Sequence, residues 1–328
     1  MSDGYRYIEP GVEVLDADSM PYVDRPRALR RRARKPIAVP LALFVLTVFS
    51  TLAVGSEFAR SYANNLAPFS EGELFSVMVH PLLHPRLLLS GIPFSFTLLT
   101  ILMAHELGHY FACKVYGIDV SYPYFLPAPS LFGTFGAFIR IRSPIPTRRA
   151  LFDVGIAGPV AGFLVAVPAM AIAVYYSKVI PDAQANALVV FGSPPLLQFL
   201  IAMFHSHATP ENFLLHPVGQ AAWVGLFATA LNLLPAWQLD GGHIIYSLTD
   251  RYHRRISLAA ALTLVAMGMV YWRGWVFWGL LLCVLSLRFR HPTLYDPYES
   301  LDAKRRLWAI AALVIFLLSF TLWPTTNP

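Results

Sequence analysis

Seven stretches of the sequence carry almost no charge over lengths close to that of a membrane crossing, and this repetition constrains the fold more than any other feature. A helix rises about 1.5 Å per residue, so a hydrocarbon core about 30 Å thick asks for roughly 20 apolar residues. The runs are residues 36–54, 92–117, 151–176, 217–235, 256–270, 275–287 and 307–322. The fifth and sixth are the shortest, and only Arg273 and Gly274 break the join between them. Composition agrees: 13% of the residues are charged and 56% hydrophobic, against about 25% charged in a soluble domain, and the mean hydropathy is +0.54. The expected fold class is an all-α polytopic membrane protein with about seven transmembrane helices and a small interfacial β-hairpin or sheet.

A net charge of +6 does not mark a nucleic-acid binder here, because the basic residues sit beside the apolar runs. Seven of them lie between Arg25 and Lys35, just before the first run, and the positive-inside rule puts that end in the cytoplasm. Threading seven spans from there places Arg140, Arg142, Arg148 and Arg149 on the same side, with Arg251, Arg254, Arg255, Arg288, Arg290, Lys304, Arg305 and Arg306. The polar first 35 residues predict no signal peptide. The protein is expected to be multi-pass, in a plasma or inner membrane, with a cytoplasmic N-terminus. Cys113 and Cys283 both fall in apolar runs, so no disulfide framework is implied.

The chain is expected to divide into a cytoplasmic basic tail (1–35), a first span with its outer connection (36–91), a membrane core (92–250) and C-terminal transmembrane helices (251–328). Within the core, residues 120–143 change texture. Val120, Tyr122, Tyr124 and Phe125 precede a segment from Gly133 to Arg142, punctuated by Pro127, Pro129, Gly133 and Gly136. β-Branched and aromatic enrichment of this kind predicts a hairpin at the membrane interface. The apolar stretch 196–204 is too short to span and is expected to lie in the interface or to re-enter it.

The second run contains His105-Glu106-Leu107-Gly108-His109. Helical residues four apart share a face, so both imidazoles can address one metal with Glu106 beside them, as in the zincin-type H-E-x-x-H pattern. Ionisable groups at this depth cost about 2.5–3.5 kcal/mol each, and a divalent ion offsets that cost. A catalytic Zn²⁺ takes three protein ligands and leaves a fourth position to water. The third candidate is Asp240, in Asn232-Leu-Leu-Pro235-Ala-Trp-Gln-Leu-Asp240-Gly241-Gly242-His243. Pro235 interrupts the fourth run, and Gly241-Gly242 is expected to turn the backbone so that Asp240 aims back into the bundle. Threading puts both halves of the site at one depth.

These two motifs, with the segment Gly133–Arg142, Pro146 and the run Asp153-Val-Gly155-Ile-Ala-Gly158-Pro-Val-Ala-Gly162, resemble the site-2 protease family of intramembrane metalloproteases over roughly residues 92–250. The resemblance implies one Zn²⁺ held by His105, His109 and Asp240, with Glu106 as catalytic acid/base. It also implies a transmembrane protein as substrate within the lipid bilayer, and release of membrane-tethered regulators. Some relatives carry a PDZ domain in the outer loop or a nucleotide-binding domain after the last span; neither is expected here, which turns attention to the β element as a selector.

Asn232 is expected to hydrogen-bond the substrate or the developing oxyanion, or else to serve as an ordinary interhelical contact. Gly133 and Gly136 are assigned to substrate binding on the edge of the hairpin. Gly155, Gly158 and Gly162 allow close helix packing. Asp153 caps a helix or pairs with Arg148 or Arg149. His243 is near enough to support the site, whereas His205, His207, His216 and His253 are expected at the interface. A metal or proton transporter and a catalytically silent scaffold remain as rival readings of the same residues.

Overall fold

The computed structural model describes residues 37–69, 85–181, 190–209, 212–289, 294 and 300–326. The basic tail proposed for residues 1–35 and His291 lie outside them. The elements in chain order are α1 (Ala38–Ala63), α2 (Pro85–Leu88), which runs through a 3₁₀ turn (Leu89–Gly91) into α3 (Ile92–Val115), then β1 (Tyr124–Pro127), β2 (Thr134–Phe138) and α4 (Arg148–Tyr175). There follow β3 (Lys178–Val179), β4 (Val190–Phe191), α5 (Pro195–Phe204), β5 (Phe213–Leu214), α6 (Pro217–Asn232), α7 (Asp240–Leu248), α8 (Asp250–Val270), α9 (Gly274–Arg288), α10 (Ala303–Ser319) and β6 (Thr325–Thr326).

Among the described residues, three helices are long and apolar enough to cross a membrane: Ala38–Ala63, Pro85–Val115 and Arg148–Tyr175. Their sequences explain both their length and their polarity. Apolar residues surround each helix almost completely, which suits a segment packed on one side and bathed in lipid on the other. Leu98, Ile101 and Leu102 of α3 are buried, while Phe96 and Phe111 stay exposed. The apolar runs at 217–235, 275–287 and 307–322 appear as the shorter helices α6, α9 and α10, and the run 256–270 extends backwards to Asp250 as α8.

The helix ends gather into two groups. At one end, the Tyr62 hydroxyl (α1) donates to the Tyr176 carbonyl after α4 over 2.5 Å. There also Lys178 reaches the Tyr62 carbonyl at 2.9 Å, and the His216 amide before α6 donates to Ser177 at 3.0 Å. Strand β4, after α4, pairs antiparallel with β6, after α10. At the other end Arg148 (α4) meets Asp250 (α8) at 3.0 Å, and Arg305 (α10) grips Asp153 (α4) at 2.5 and 2.9 Å. Asp153 therefore pairs with Arg305 rather than with its sequence neighbours Arg148 and Arg149, and Thr147 is the residue that caps α4.

Strands β1 and β2 form an antiparallel hairpin with Tyr124 opposite Phe138 and Phe125 opposite Ala137. The hairpin expected near residues 120–143 exists, but its tip does not rest at the helix ends. The Ser50 hydroxyl, midway along α1, donates to the Gly133 carbonyl over 2.6 Å. Phe132 stacks in the neighbourhood of Phe191 and Trp223, each 6.1 Å away by ring centroid, at the end where β4 and the start of α6 lie. The hairpin thus re-enters the bundle, and the Phe44–Phe125 edge contact at 5.1 Å holds its base against α1. Pro129 and the apolar tip residues Leu131 and Phe132 make that depth affordable, since the backbone polar groups bond to each other and to Ser50.

Candidate metal centre

Helix α3 carries His105 and His109 one turn apart, with their rings 4.8 Å apart by centroid. Both are buried, as is Glu106 between them, at 5%, 7% and 4% exposure. Their direction is set by α4, which packs on α3 through its glycines. A Cβ built on Gly158 would lie 2.1 Å from Nε2 of His109, and one on Gly162 would lie 3.2 Å from the His105 Cβ. The histidine face therefore needs a helix partner with no side chain at these points. From the same helix the Val154 carbonyl sits 2.7 Å from His109 Nδ1. A carbonyl only accepts, so Nδ1 carries the hydrogen and a neutral His109 presents the lone pair of Nε2 to the interior.

Asp240 arrives from across the bundle. Helix α6 ends at Asn232, and the chain turns through residues 233–239 before α7 begins at Asp240. The sharp turn expected at Gly241-Gly242 falls earlier, at Trp237, which takes a φ of 50°. The two glycines are instead the first turn of α7, and they are needed for close approach. A Cβ on Gly241 would lie 2.1 Å from the Leu233 carbonyl oxygen, and one on Gly242 2.4 Å from that of Trp237. Folding α7 back on its own connection in this way brings the Asp240 carboxylate to the histidines.

His105 Nε2 lies 3.1 Å from Asp240 Oδ2 and 3.1 Å from His109 Nε2, and His109 Nε2 lies 3.3 Å from Asp240 Oδ1. A tetrahedral ion with bonds of 2.0–2.1 Å separates its ligands by about 3.3–3.4 Å. Each of these separations is close to the edge of a tetrahedral face, the two imidazoles meeting different oxygens of the one carboxylate. Two imidazole lone pairs and a carboxylate oxygen converging this closely repel one another unless a positive charge lies between them. On spacing and on donor chemistry the residues fit a divalent ion of the zinc type, and they are the one such group of His, Cys, Asp and Glu found among the described residues.

A cavity of about 180 Å³ opens beside this centre. His105 and Glu106 form one wall, Phe135, Gly136 and Ala137 of β2 another, and Thr229 and Asn232 of α6 a third, with Leu239 and Trp278 closing it. Glu106 thus faces the same space as the middle of strand β2. Asn232 lies at the rim of the centre, its Nδ2 3.3 Å from His105 Nε2.

The structure thus brings His105, Glu106, His109, Asp240, Asn232 and Gly136 together around one space. Gly133 does not join them: with φ at +75°, it is packed against Ser50 and Thr51 of α1. His243 leans on Gly155 of α4, where a glycine Cβ would lie 3.0 Å from its own Cβ. His205 hydrogen-bonds the Val174 carbonyl at 2.8 Å and His216 packs on Tyr62, both far from the centre in the fold. His253 is buried rather than interfacial, at 7% exposure. The backbone oxygen of Val154 leaves no trace in composition. Its one sequence signal is the glycine spacing of 155, 158 and 162, which announces a close helix partner without naming it.

Comparison with known proteins bears on this arrangement. The profile of peptidase family M50 matches residues 93–272. Among curated proteins, the chain is 30% identical over 299 residues to the probable zinc metalloprotease EGY1, chloroplastic, of Arabidopsis thaliana, an alignment covering 87% of this chain and 53% of that protein. It is 28% identical over 322 residues to the protein of the same name from Oryza sativa subsp. japonica, covering 90% and 53%. It is also 28% identical over 307 residues to the Arabidopsis probable zinc metalloprotease EGY2, chloroplastic, covering 90% and 52%. The chain spans about half the length of these relatives. Because the family profile runs through more than half of the sequence and takes in the histidine pair and Asp240 alike, the chain belongs to peptidase family M50, the site-2 protease family.

Proposed function

We propose that the protein is a zinc-dependent endopeptidase that cuts a peptide bond in or next to a transmembrane segment of a membrane-protein substrate. The observation that carries this reading is the convergence of His105, His109 and Asp240 at tetrahedral spacing beside a cavity walled by Glu106 and by β2. Names of the curated relatives support zinc as the ion. In this reading His105, His109 and Asp240 hold one zinc per chain, which would supply a Lewis acid that polarises the scissile carbonyl and acidifies water.

The remaining steps belong to the chain's own groups. Glu106 takes a proton from the attacking water and returns it to the leaving amine, a transfer its place on the cavity wall allows. Asn232 offers its amide to the substrate backbone or the developing oxyanion. A helical substrate hides its carbonyls in its own hydrogen bonds, so it must first unwind. Among the described residues strand β2 has one ladder partner, β1, in a two-stranded sheet, and its second edge can take the unwound segment by strand addition, with Gly136 leaving room beside the chain.

The two groups of helix ends support a bundle of about seven crossings: α1, α3, α4, α6, α8, α9 and α10 alternate in direction when Arg148, Arg305 and Asp250 are placed on one side. The positive-inside rule makes that side cytoplasmic and puts the N-terminus there. In this arrangement 92–250 is the catalytic core, 36–91 leads into it, 251–328 braces it, and the enzyme serves regulated intramembrane proteolysis.

The test is reconstitution with a transmembrane substrate. Glu106→Gln should retain one zinc per chain and lose cleavage. Cleavage at the normal rate removes Glu106 from the mechanism, and metal flux without proteolysis in the unaltered protein indicates a transporter instead.

A further inference from the structure

Asp240 is the one ligand that no long helix delivers, so its position depends on the connection ahead of it. The critical residue there is Trp237, three positions earlier. Its φ of 50° lies in the left-handed region, which a bulky residue keeps only where its surroundings over-determine it. The surroundings that do so lie on α8. His253 Nε2 is 3.1 Å from the Trp237 carbonyl oxygen, and the Trp237 amide donates to the Ser257 hydroxyl oxygen over 3.3 Å.

Both backbone polar groups of one strained residue are therefore held by two side chains one turn apart on a helix that contributes no ligand. The carbonyl of Trp237 can only accept, which makes Nε2 the donor. His253 and Ser257 are 7% and 1% exposed, whereas Ala261, Leu264 and Gly268, the other buried positions of α8, are nonpolar. Their polarity is spent on this turn.

We infer that His253 and Ser257 are positioning residues for Asp240, holding the Trp237 turn so that the carboxylate meets His105 and His109 at 3.1–3.3 Å. The inference rests on the reading of Asp240 as a metal ligand. Outer partners that orient a ligand typically change metal affinity by about 10–100-fold when removed, and a displacement of about 1 Å is enough to spoil such a site.

The experiment uses the full chain in detergent or nanodiscs, with zinc affinity from chelator competition, the visible spectrum of the cobalt-substituted protein, and cleavage kinetics. His253→Ala should weaken zinc by at least about tenfold, shift the cobalt bands and lower kcat with KM unchanged. His253→Gln keeps an N–H donor and should recover most of the loss. Ser257→Ala should act in the same direction to a smaller extent. Unaltered zinc affinity and cobalt spectrum in His253→Ala overturn the inference, even where the thermal midpoint falls. If His253→Ala does not accumulate, the same unaltered readings in Ser257→Ala overturn it. Asp240→Ala separates the two levels: wild-type zinc affinity in that variant defeats the metal-site reading itself and the inference with it.

Discussion

His109 and Val154 are joined across two helices, the imidazole Nδ1 donating to the backbone carbonyl over 2.7 Å. The bond selects a tautomer, turns Nε2 towards the Asp240 carboxylate, and depends on α4 lying as close to α3 as its glycines permit.

Gly158 is where that closeness is decided, since a Cβ there would lie 2.1 Å from His109 Nε2. Alanine ordinarily improves a helix interior by about 1 kcal/mol over glycine. Gly158→Ala should do the opposite, because His109 cannot yield without leaving the Val154 carbonyl. We expect zinc affinity to fall by at least about tenfold and the thermal midpoint to drop. A chelator titration with a parallel melt checks both, and a stabilised variant with unaltered zinc affinity refutes the account.

Metal removal should be visible in stability as well as in cleavage. A ligand at 100 times its Kd stabilises the folded state by about 2.7 kcal/mol. Stripping zinc with a chelator should abolish cleavage and lower the thermal midpoint, with both restored by added zinc. In His109→Ala the midpoint should no longer respond to zinc.

The hairpin latch should act on substrate rather than on metal. Ser50→Ala removes one half-buried hydrogen bond to Gly133, worth about 1 kcal/mol, from a hairpin whose second strand walls the cavity. The expected result is a rise in KM of about fivefold or less with zinc affinity unchanged. Gly133→Ala should be harsher, since its φ is +75° and its Cβ would lie 2.7 Å from the Ser50 carbonyl oxygen. Kinetics on a reconstituted substrate, with zinc measured on the same samples, distinguishes this from damage to the metal centre.

Arg305 belongs to α10, beyond the family profile's 93–272, yet it ties the start of α4 to the end of the histidine helix. It bonds Asp153 through Nε at 2.9 Å and Nη2 at 2.5 Å, and the Tyr116 hydroxyl at 3.2 Å, while Tyr116 also donates to Asp153. Because the two charged side chains are 20% and 30% exposed, the pair should be worth less than a fully buried one. A double-mutant cycle of Arg305→Ala and Asp153→Ala read by thermal unfolding should give a coupling of about 1–3 kcal/mol. Arg305→Lys should restore little of it, since one ammonium cannot reproduce a fork on two oxygens. Additive single losses would show that the clamp does not act as a unit.

Much of the site could be read from residue order, because its core obeys a local rule. His105 and His109 are four apart, and any helix through them must put both on one face. Glu106 follows for the same reason, and the apolar runs at 36–54, 92–117 and 151–176 correspond to helices long enough to cross a membrane. Gly136 and Asn232 were also legible as neighbours of the site, the first from the hairpin signal and the second from its spacing to Pro235. Gly133 was misplaced because turn chemistry announces a positive φ without saying what lies behind it; Ser50 of α1 lies there, 83 residues earlier in the chain.

What the sequence determined by itself is therefore what a helical period or an apolar run can impose within about thirty residues: the three long apolar helices, the imidazole pair and the presence of a hairpin. The tertiary structure alone decided how Asp240 meets His105 from 135 residues away. It also decided that Gly241-Gly242 serves close approach rather than a turn, that the hairpin tip reaches the middle of α1, and that His253 and Ser257 hold Trp237. Those outcomes depend on the rotation and separation of packed helices, which are set by side chains meeting across the bundle and leave no periodic mark along the chain.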